Sequence, residues 1–335
     1  MTSPAPAAAA APVAPVVHAD VLAASNRLGS WPVRTPLINC PALDALCGGR
    51  IWFKPENLQH TGSFKFRGAM NRLLALPPEG RRGGVVAYSS GNHAQGVARA
   101  ARLLGMPALI VMPSDAPKLK VERTRADGAE VVFYDRLTEA RETIAANLAE
   151  ARGAIIVPPF ADALVIAGQG TAGLEAVQDL AAMGETADLV LTCCGGGGLS
   201  GGFAAGSQLP IVVVEPEGYD DVCRSLAAGR ILPVENPGPT RCDALQTLVM
   251  AEITFETLRH HGATGVAVSE AEVARAVAFA FRELKLVVEP GGSVTLAALL
   301  AGKLDVTGKT VIATLSGGNI DAEVLVSCLR EAGAL

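Results

Sequence analysis

The chain has 335 residues, of which 50% are hydrophobic and 18% are charged. This length allows about two domains of roughly 150 residues each, and the composition excludes an intrinsically disordered protein. The 28 basic and 33 acidic residues give a net charge of −5, and no basic block is present. We therefore expect no nucleic-acid partner, because such proteins neutralise phosphates with clustered lysine and arginine.

The termini and cysteines indicate where the protein is located. Residues 1–16 are almost entirely alanine and proline, and we expect a disordered tail there. No basic residue precedes the apolar part of this segment, which excludes a secretory signal. No later segment reaches the length of about 18 uninterrupted apolar residues that a membrane span requires. The seven cysteines fit neither a disulfide framework nor a zinc-ligand pattern. The sequence thus predicts a cytoplasmic protein without a membrane partner.

Short β-branched runs alternate with alanine- and leucine-rich segments of helical period, which is typical of a parallel α/β fold. Helices are predicted at 94–104, 138–151 and 270–286, the last opened by a capping box of Ser269 and Glu272. Strands are predicted at 85–89, 108–112, 130–134, 154–157, 189–194, 211–215, 265–268 and 310–315.

Domain boundaries leave little trace in the composition. The polar turn at 77–84 is the one break, and no polar linker divides the middle of the chain. We expect a large domain formed by residues 17–83 and 162–335. A smaller α/β domain, residues 84–161, is expected to be inserted into it.

The clearest motif is a run of four glycines, Gly195, Gly196, Gly197 and Gly198, between a predicted strand and a helix starting near Leu199. Converging backbone N–H groups at a helix N-terminus bind phosphate, so we predict a phosphate site. A structural glycine turn is the simpler alternative. The spacing Gly196-x-Gly198-x-x-Gly201, with Glu215 about 20 residues beyond Gly196, also fits a dinucleotide-binding motif. An NAD enzyme therefore stays open at this point.

A second loop, Ser89, Ser90, Gly91, Asn92 and His93, follows another strand and opens a helix. Its hydroxyls, amide and backbone N–H groups suit a carboxylate better than a phosphate. An ordinary capped strand-to-helix loop is the alternative, since serine and asparagine are preferred helix caps.

Lys65 lies between two aromatic residues and beside Arg67 in the segment TGSFKFRGA. Apolar neighbours and a nearby cation lower the pKa of an amine and make it a nucleophile toward carbonyls. Most lysines are exposed and have no such role, but none of the other six has this setting. The cluster Ser316-Gly317-Gly318-Asn319 ends the last predicted strand and is uninformative alone.

Taken together, these segments resemble the pyridoxal 5′-phosphate (PLP) enzymes of fold type II, specifically the serine/threonine dehydratase and serine racemase group. The resemblance runs from Arg34-Thr35-Pro36-Leu37 to the C-terminus. It implies two open α/β domains of the tryptophan synthase β type with the active site between them. The motifs in family order are TGSFKFRGA, SSGNHAQG, IAGQGT, GGGGL, EPGG and SGGN.

The resemblance assigns a cofactor to the chain and residues to the cofactor. It implies that Lys65 carries PLP as a Schiff base. The other residues implied to bind the cofactor are Phe64 against the ring, Asn92 on the 3′-oxygen, Gly195, Gly196, Gly197, Gly198 and Leu199 on the phosphate, Glu289, and Ser316 at the ring nitrogen. A neutral hydroxyl there does not stabilise a protonated ring nitrogen as a carboxylate would, which suits elimination.

The implied reaction converts L-threonine or L-serine to a 2-oxo acid and ammonia. The loop of Ser89, Ser90, Gly91, Asn92 and His93 would hold the substrate carboxylate, and Lys65 would remove the α-proton. Ser90 matches the opposite-face acid/base of racemases in the group. Arg141 matches an arginine that faces the cleft in relatives, with an exposed helix arginine as the alternative.

A divalent-cation site, for Mg²⁺ or a similar ion, is implied at Glu215, Asp221 and the carbonyl of Tyr219, although two carboxylates at this spacing also fit a solvated helix start. The same Glu215 would be the ribose-binding acid of an NAD enzyme. The resemblance also implies a homodimer. We take His60, His260 and His261 as surface or satisfied residues, because they fit no metal or nucleophile spacing. For Cys193 and Cys194 we expect small buried strand residues, with a thiol nucleophile as the alternative.

The chain departs from the family pattern at two places near the expected substrate side chain. It has Cys-Asp-Ala-Leu at 242–245 and EPGGS at 289–293, where the family has Ala-Asp-Gly and EPSGA-like segments. Substrate identity therefore stays open among L-threonine, L-serine, 3-hydroxyaspartate, a β-aryl serine and serine racemisation. An NAD-dependent oxidoreductase would leave Lys65 unexplained, and a catalytically inactive binding protein would be expected to lose it.

Overall fold

The structure is a computed structural model that describes residues 13–89, 91–116, 118–135 and 137–335, apart from the side chain of Leu119. The α-helices are α1 (His18–Leu28), α2 (Pro41–Cys47), α3 (Lys65–Leu74), α4 (Asn92–Leu103), α5 (Lys118–Ala126), α6 (Arg141–Arg152), α7 (Ala163–Ala182), α8 (Gly198–Ser207), α9 (Asp221–Ala228), α10 (Glu252–His260), α11 (Glu270–Phe279), α12 (Val294–Leu300) and α13 (Ala322–Glu331). The strands are β1 (Ile38–Asn39), β2 (Arg50–Pro55), β3 (Val85–Tyr88), β4 (Ala108–Pro113), β5 (Glu130–Tyr134), β6 (Ile155–Ile156), β7 (Leu189–Cys193), β8 (Ile211–Pro216), β9 (Thr264–Val268) and β10 (Thr310–Leu315). Short 3-10 helices cover Glu56–Leu58, His60–Gly62, Pro78–Arg81, Asp243–Leu245 and Pro290–Gly292.

The strands form two sheets. The larger has six strands in the order β1-β2-β10-β7-β8-β9, with β1 antiparallel to β2 and the other neighbours parallel. The smaller has four parallel strands in the order β5-β4-β3-β6. We retain the division into an inserted domain at 84–161 as a proposal, supported by the fact that all four strands of the smaller sheet lie within it.

Apolar side chains cover both faces of the smaller sheet, as its continuous apolar strands predict. Val85 and Ile110 pack with Phe66 of α3 on one face. Val86 and Leu109 pack with Ala145 of α6 on the other. A separate core of buried residues lies between the larger sheet and helices α11 and α12. Because α3 contributes to the core of the smaller sheet, it joins the two halves of the fold.

All eight predicted strands are present with boundaries within about two residues, but β1 and β2 were not predicted. Strand β2 is an inner strand of the sheet but contains Arg50, Lys54 and Pro55. Because such residues are uncommon in inner strands, the sequence pattern does not indicate a strand there. Lys54 is fully buried because its Nζ donates to Thr35 O and to Glu175 Oε2, both at 2.8 Å. The cation is thus paired rather than solvated, a fact that residue type alone does not reveal.

Two helix predictions need correction. The helix predicted at 270–286 begins with the expected capping box but ends at Phe279. A π-helical turn, Ala280–Leu284, follows and closes at Lys285 with φ 58°. The helix predicted at 138–151 begins three residues later, at Arg141.

The predicted tail, residues 1–16, lies mostly outside the described residues. Val16 itself is buried, and its backbone N–H donates to Thr257 Oγ1 at 3.0 Å. Among the described residues, no helix combines the length and the apolar character needed to cross a bilayer.

Helices α7 and α8 pack at a distance that only glycine permits. A Cβ on Gly202 would lie 2.2 Å from Ile166 O, and one on Gly170 would lie 2.4 Å from Gly202 O. Both distances are far below van der Waals contact. The glycines of IAGQGT therefore set the position of α8, which carries the glycine run at its N-terminus.

A buried ionic cluster fixes the first turn of α3, where Lys65 lies. Arg67 is fully buried, and its guanidinium donates to both oxygens of Glu56, with Nε to Oε2 at 2.7 Å and Nη2 to Oε1 at 2.9 Å. It also donates to both oxygens of Glu175 on α7, at 2.7 and 2.8 Å, and to Thr171 Oγ1 at 3.2 Å. These bonds stabilise the guanidinium and raise the pKa of Arg67 despite its burial. The turn is thereby attached to the segment after β2 and to α7.

We expect Arg67→Met to lower the free energy of unfolding by about 3–5 kcal/mol, because it leaves the buried carboxylate of Glu56 without its cation, whereas Glu175 keeps Lys54. Denaturant unfolding followed by circular dichroism measures this change. The matched control is Arg34→Met at the exposed pair with Asp179, which should change the same quantity by no more than about 1 kcal/mol. Equal losses in both variants would contradict the role given to the cluster.

Candidate active site

A cavity of about 650 Å³ lies where segments following strands of both sheets meet. Lining it are the described residues that the sequence predicts for cofactor and substrate binding: Phe64, Lys65, Ser89, Gly91, Asn92, His93, Arg141, Gly195, Gly196, Gly197, Gly198, Leu199, Glu289 and Ser316. Ser90 lies outside the described residues. Segments more than 250 residues apart in sequence thus meet at one cavity, as expected for the carboxyl ends of parallel strands.

Lys65 is the first residue of α3, and its partly buried amine points into this cavity. Nζ donates to Pro159 O at 2.9 Å and lies 5.0 Å from the centre of the Phe64 ring. Burial disfavours the ammonium form and lowers the pKa of Lys65 to about 8, although nearby Glu289 opposes the shift. The amine is therefore easier to deprotonate than an exposed lysine, as a nucleophile toward a carbonyl requires.

The glycine run joins β7 to α8. Gly197 has φ +82°, and α8 begins at Gly198, so the first amide groups of this helix lie at the cavity wall. These N–H groups precede the intrahelical hydrogen bonds and are available to an anion. A Cβ on Gly196 would lie 2.4 Å from the Phe160 ring, so a larger residue does not fit there without movement.

The loop after β3 leads directly into α4, whose first residue is Asn92. Asn92 donates through Nδ2 to Glu289 Oε1 at 2.5 Å. His93 Nε2 donates to Val157 O at 2.8 Å, because a carbonyl only accepts. Burial, followed by the charge of Lys65, lowers the pKa of His93 to about 3. His93 is therefore neutral and is held as part of the wall.

Ser316 follows β10 and is 4% exposed. Its carbonyl accepts a hydrogen bond from Phe64 N at 3.2 Å, and its N–H donates to Gly292 O at 3.3 Å.

Glu289 also lines the cavity. Burial and the neighbouring Asp243 raise the pKa of Glu289 to about 8, although the hydrogen bond from Asn92 opposes this shift. The neutral form of this carboxyl is thus substantially populated near neutral pH.

Two cations at the cavity mouth each have a carboxylate partner. Arg141 begins α6, lies 5.5 Å from the Tyr88 ring centre, and pairs through Nε with Glu142 at 2.8 Å. Lys120 of α5 pairs with Asp243. Arg141 is 48% exposed, whereas Lys120 is only 11% exposed.

Sequence reasoning missed several residues of this wall. They are Tyr88, Lys120, Tyr134, Pro159 and Phe160, whereas Leu245 belongs to the segment 242–245 that was expected near the substrate side chain. Pro159 and Phe160 could have been found, because they directly follow a predicted strand whose carboxyl end reaches the site. Lys120 carries no such signal, since it lies on a helix of ordinary composition.

The predicted cation ligands lie outside this cavity wall. Glu215 lies near the end of β8, and its carboxylate accepts hydrogen bonds from Cys223 N at 2.7 Å and Val222 N at 3.3 Å. Asp221 is fully buried, and neither of its carboxylate oxygens has a hydrogen-bond partner among the described residues. Burial raises the pKa of Glu215 to about 8 and that of Asp221 to about 6. In the described part of the chain, no group of three His, Cys, Asp or Glu side chains is placed to hold a metal.

The histidines and cysteines set aside above make ordinary structural contacts. His60 Nε2 lies 3.2 Å from Trp31 O, and His261 Nε2 lies 3.3 Å from Val16 O. Cys193 lines the cavity but donates to Gly292 O at 3.3 Å, and burial raises the pKa of its thiol.

Comparison with known proteins agrees with this geometry. Residues 31–317 match the family described as pyridoxal-phosphate dependent enzyme. The chain is 43% identical to L-threo-3-hydroxyaspartate ammonia-lyase of a Pseudomonas species, over 93% of this chain and 98% of that protein. It is 41% identical to L-threonine ammonia-lyase of Thermotoga maritima, over 91% of this chain and 76% of that protein. The structure of maize serine racemase matches with a TM-score of 0.88 and 32% identity, covering 94% of this chain and 97% of that one.

These findings confirm the predicted resemblance, fold type II and PLP as the cofactor. The activities of the relatives also confirm the prediction of a PLP-dependent ammonia-lyase of hydroxy amino acids, with its alternatives within the group. The glycine spacing from Gly196 to Gly201 was the reason to consider an NAD-dependent enzyme. Because these residues lie within the match to the pyridoxal-phosphate family, that alternative is set aside. The chain belongs to the pyridoxal-phosphate dependent enzyme family.

Proposed function

We propose that this enzyme removes the β-hydroxyl group and the amine of L-threonine or L-serine, releasing a 2-oxo acid and ammonia. The observation that carries the proposal is the convergence of four separate segments on one cavity. They bring together an amine of lowered pKa, a helix N-terminus built from glycines, the amide of Asn92 and the hydroxyl of Ser316.

The residues present fit PLP. The amide groups at the start of α8 would hold its phosphate, Asn92 would donate to its 3′-oxygen, and Ser316 would face its ring nitrogen. Phe64 lies beside Lys65 and would pack against the ring, and Glu289 would lie at its edge through Asn92. When bound, PLP withdraws electrons from the α-carbon of the amino acid joined to it.

Lys65 has the properties needed to move the α-proton. Its amine lies inside the cavity, and its lowered pKa allows it to accept a proton near neutral pH. The N-terminus of α4, with Ser89, Gly91 and His93, would hold the substrate carboxylate and orient the α-carbon toward Lys65. For Ser90, which lies outside the described residues, we retain the proposal of an opposite-face acid/base and of racemisation.

The charges at the cavity mouth favour an uncharged substrate side chain. Arg141 and Lys120 already pair with Glu142 and Asp243, so a second substrate carboxylate would have to displace an existing partner. The second candidate substrate is L-threo-3-hydroxyaspartate. It is favoured by the exposure of Arg141 within the cavity and by the activity of the Pseudomonas relative.

We also propose a divalent-cation site at Glu215, Asp221 and the carbonyl of Tyr219. Two buried carboxylates lie close enough for the charge of Asp221 to raise the pKa of Glu215, and within the described ranges of the chain the Asp221 side chain has no hydrogen-bond partner. Oxygen ligands of this kind suit Mg²⁺ or Ca²⁺, which would neutralise both carboxylates.

The proposal extends to compartment and assembly. All seven cysteines are free, and five of them are buried, which supports a reducing compartment such as the cytoplasm. We also propose that the enzyme is a homodimer, as the family resemblance implies. Light scattering of the purified enzyme tests this proposal.

We expect Lys65→Ala to reduce ammonia release by at least about 10²–10⁴-fold, because the positioned base is removed. Ammonia and 2-oxo acid assays measure this loss. Hydride reduction followed by peptide mass analysis should place the pyridoxyl group on Lys65 of the wild-type enzyme. Lys309→Ala, on the exposed surface, is the control. Near-normal turnover in the Lys65 variant would contradict the assignment of Lys65 as the base.

A substrate panel separates the two candidate substrates. We expect kcat/KM for L-threonine or L-serine to exceed that for L-threo-3-hydroxyaspartate by about tenfold or more, which is about 1.4 kcal/mol. Arg141→Gln should lower kcat/KM for the dicarboxylic substrate alone. Arg152→Gln, on the same helix but paired with Glu130, should change neither value. A higher value for hydroxyaspartate in the wild-type enzyme would favour the second candidate.

Addition of Mg²⁺ or Ca²⁺ should stabilise the enzyme against denaturant. At 100 times its dissociation constant, the cation should add about 2.7 kcal/mol to the free energy of unfolding. Glu215→Gln should abolish this gain while retaining the PLP absorption. The exposed Glu235→Gln should leave the gain intact. Equal stabilisation of the Glu215 variant would rule out this site.

A further inference from the structure

The side-chain amide of Asn92 has a defined orientation in the cavity wall. Asn92 is 8% exposed, and its Nδ2 lies on the side of Glu289, which also lines the cavity. Its Oδ1 accepts a hydrogen bond from Asn319 Nδ2 at 2.7 Å, on the side away from the cavity. Rotating the amide by half a turn would exchange donor and acceptor. Only the observed orientation lets Asn92 donate to an oxygen of a ligand.

Glu289 does not fix this orientation. A carboxylate only accepts hydrogen bonds, but a protonated carboxyl both donates and accepts. Because burial raises the pKa of Glu289 to about 8, both forms are populated near neutral pH. Glu289 could therefore pair with either end of the Asn92 amide.

Asn319 has partners that allow only one orientation of its own amide. Its Nδ2 also donates to the backbone carbonyl of Thr61 at 2.8 Å, and a carbonyl can only accept. Its Oδ1 accepts from Arg123 Nη1 at 2.7 Å, and a guanidinium can only donate. With both ends determined in this way, Asn319 must present its NH₂ group to Asn92.

We infer that Asn319 is a positioning residue that holds the Asn92 amide with its NH₂ group turned toward the cavity, where it donates to the anionic 3′-oxygen of PLP. The inference rests on the proposed role of Asn92. It gives a function to the last residue of the SGGN segment, which lines no part of this cavity.

Asn319→Asp reverses the polarity of this contact. A carboxylate at 319 still accepts from Arg123 but also accepts from Asn92, whose NH₂ group then turns away from the cavity. The bound cofactor loses a donor to its oxygen, and the protonation state that depends on this donor changes. We expect about a tenfold change in the ratio of the two PLP absorption bands at a fixed pH near their midpoint, the effect of one hydrogen bond.

Two further variants separate orientation from charge. Asn319→Leu removes the donor without adding a charge and should shift the band ratio in the same direction. Asn57→Asp adds the same charge beside Gly318, at a side chain that donates to Val287 O instead of Asn92, and should leave the spectrum unchanged.

The decisive measurement is a double-mutant cycle in the holoenzyme, with spectra recorded from pH 6 to 10. If Asn319 acts through Asn92, Asn319→Asp should have no further effect on the spectrum of Asn92→Ala. A full effect in that background would overturn the inference, since the change would then act by another route.

Two other results would also overturn the inference. One is an unchanged spectrum in both Asn319 variants with PLP fully bound. The other is loss of PLP from both variants while Asn92→Ala retains it, because a positioning residue cannot matter more than the residue it positions. Failure of the proposed function looks different, because the wild-type enzyme itself would then show no PLP absorption or no ammonia release.

Discussion

The active site depends on an ionic cluster that is removed from water. Arg67 follows Lys65 by two residues and places all its donors on Glu56, Glu175, Thr171 and backbone. Such a group is costly to bury alone but restricts geometry strongly when every donor is matched. The first turn of α3 is therefore held between the end of β2 and α7, and the amine of Lys65 leaves it at a fixed position. Lowering the pKa of Lys65 requires this fixed burial.

The two sheets contribute different chemistry to the same cavity. The larger sheet supplies the glycine run and Ser316, which suit a phosphate and a ring nitrogen. The smaller sheet supplies the loop before α4, which suits a carboxylate. Lys65 lies on α3, whose apolar residues pack in the core of the smaller sheet while Phe64 bonds to Ser316 of the larger. A cofactor and a substrate bound by separate sheets would thus meet at a residue attached to both.

Local patterns identified most of this arrangement. The eight strands, the capping box at Ser269, the glycine run and Lys65 were predicted because strand ends, glycine runs and helix caps are encoded over a few neighbouring residues. The roles of Asn92, Glu289 and Ser316 came from the family resemblance instead. Strand β2 was missed because Lys54 is neutralised by Glu175, which lies 121 residues away. The orientation of Asn92 depends in the same way on Asn319, 227 residues distant. Contacts of this kind are decided by the tertiary fold, and no local composition records them.

The paired cations at the cavity mouth bear on how substrate preference changes in this fold. A dicarboxylic substrate needs a cation for its second carboxylate, and the cavity already contains two, Arg141 and Lys120. Each of them is paired with a carboxylate of the protein, Glu142 and Asp243 respectively. Neutralising one of these acids would release a cation into the cavity without altering the core. On the proposed function, a change from a monocarboxylic to a dicarboxylic amino acid would therefore require the loss of an acidic partner rather than the gain of a new cation.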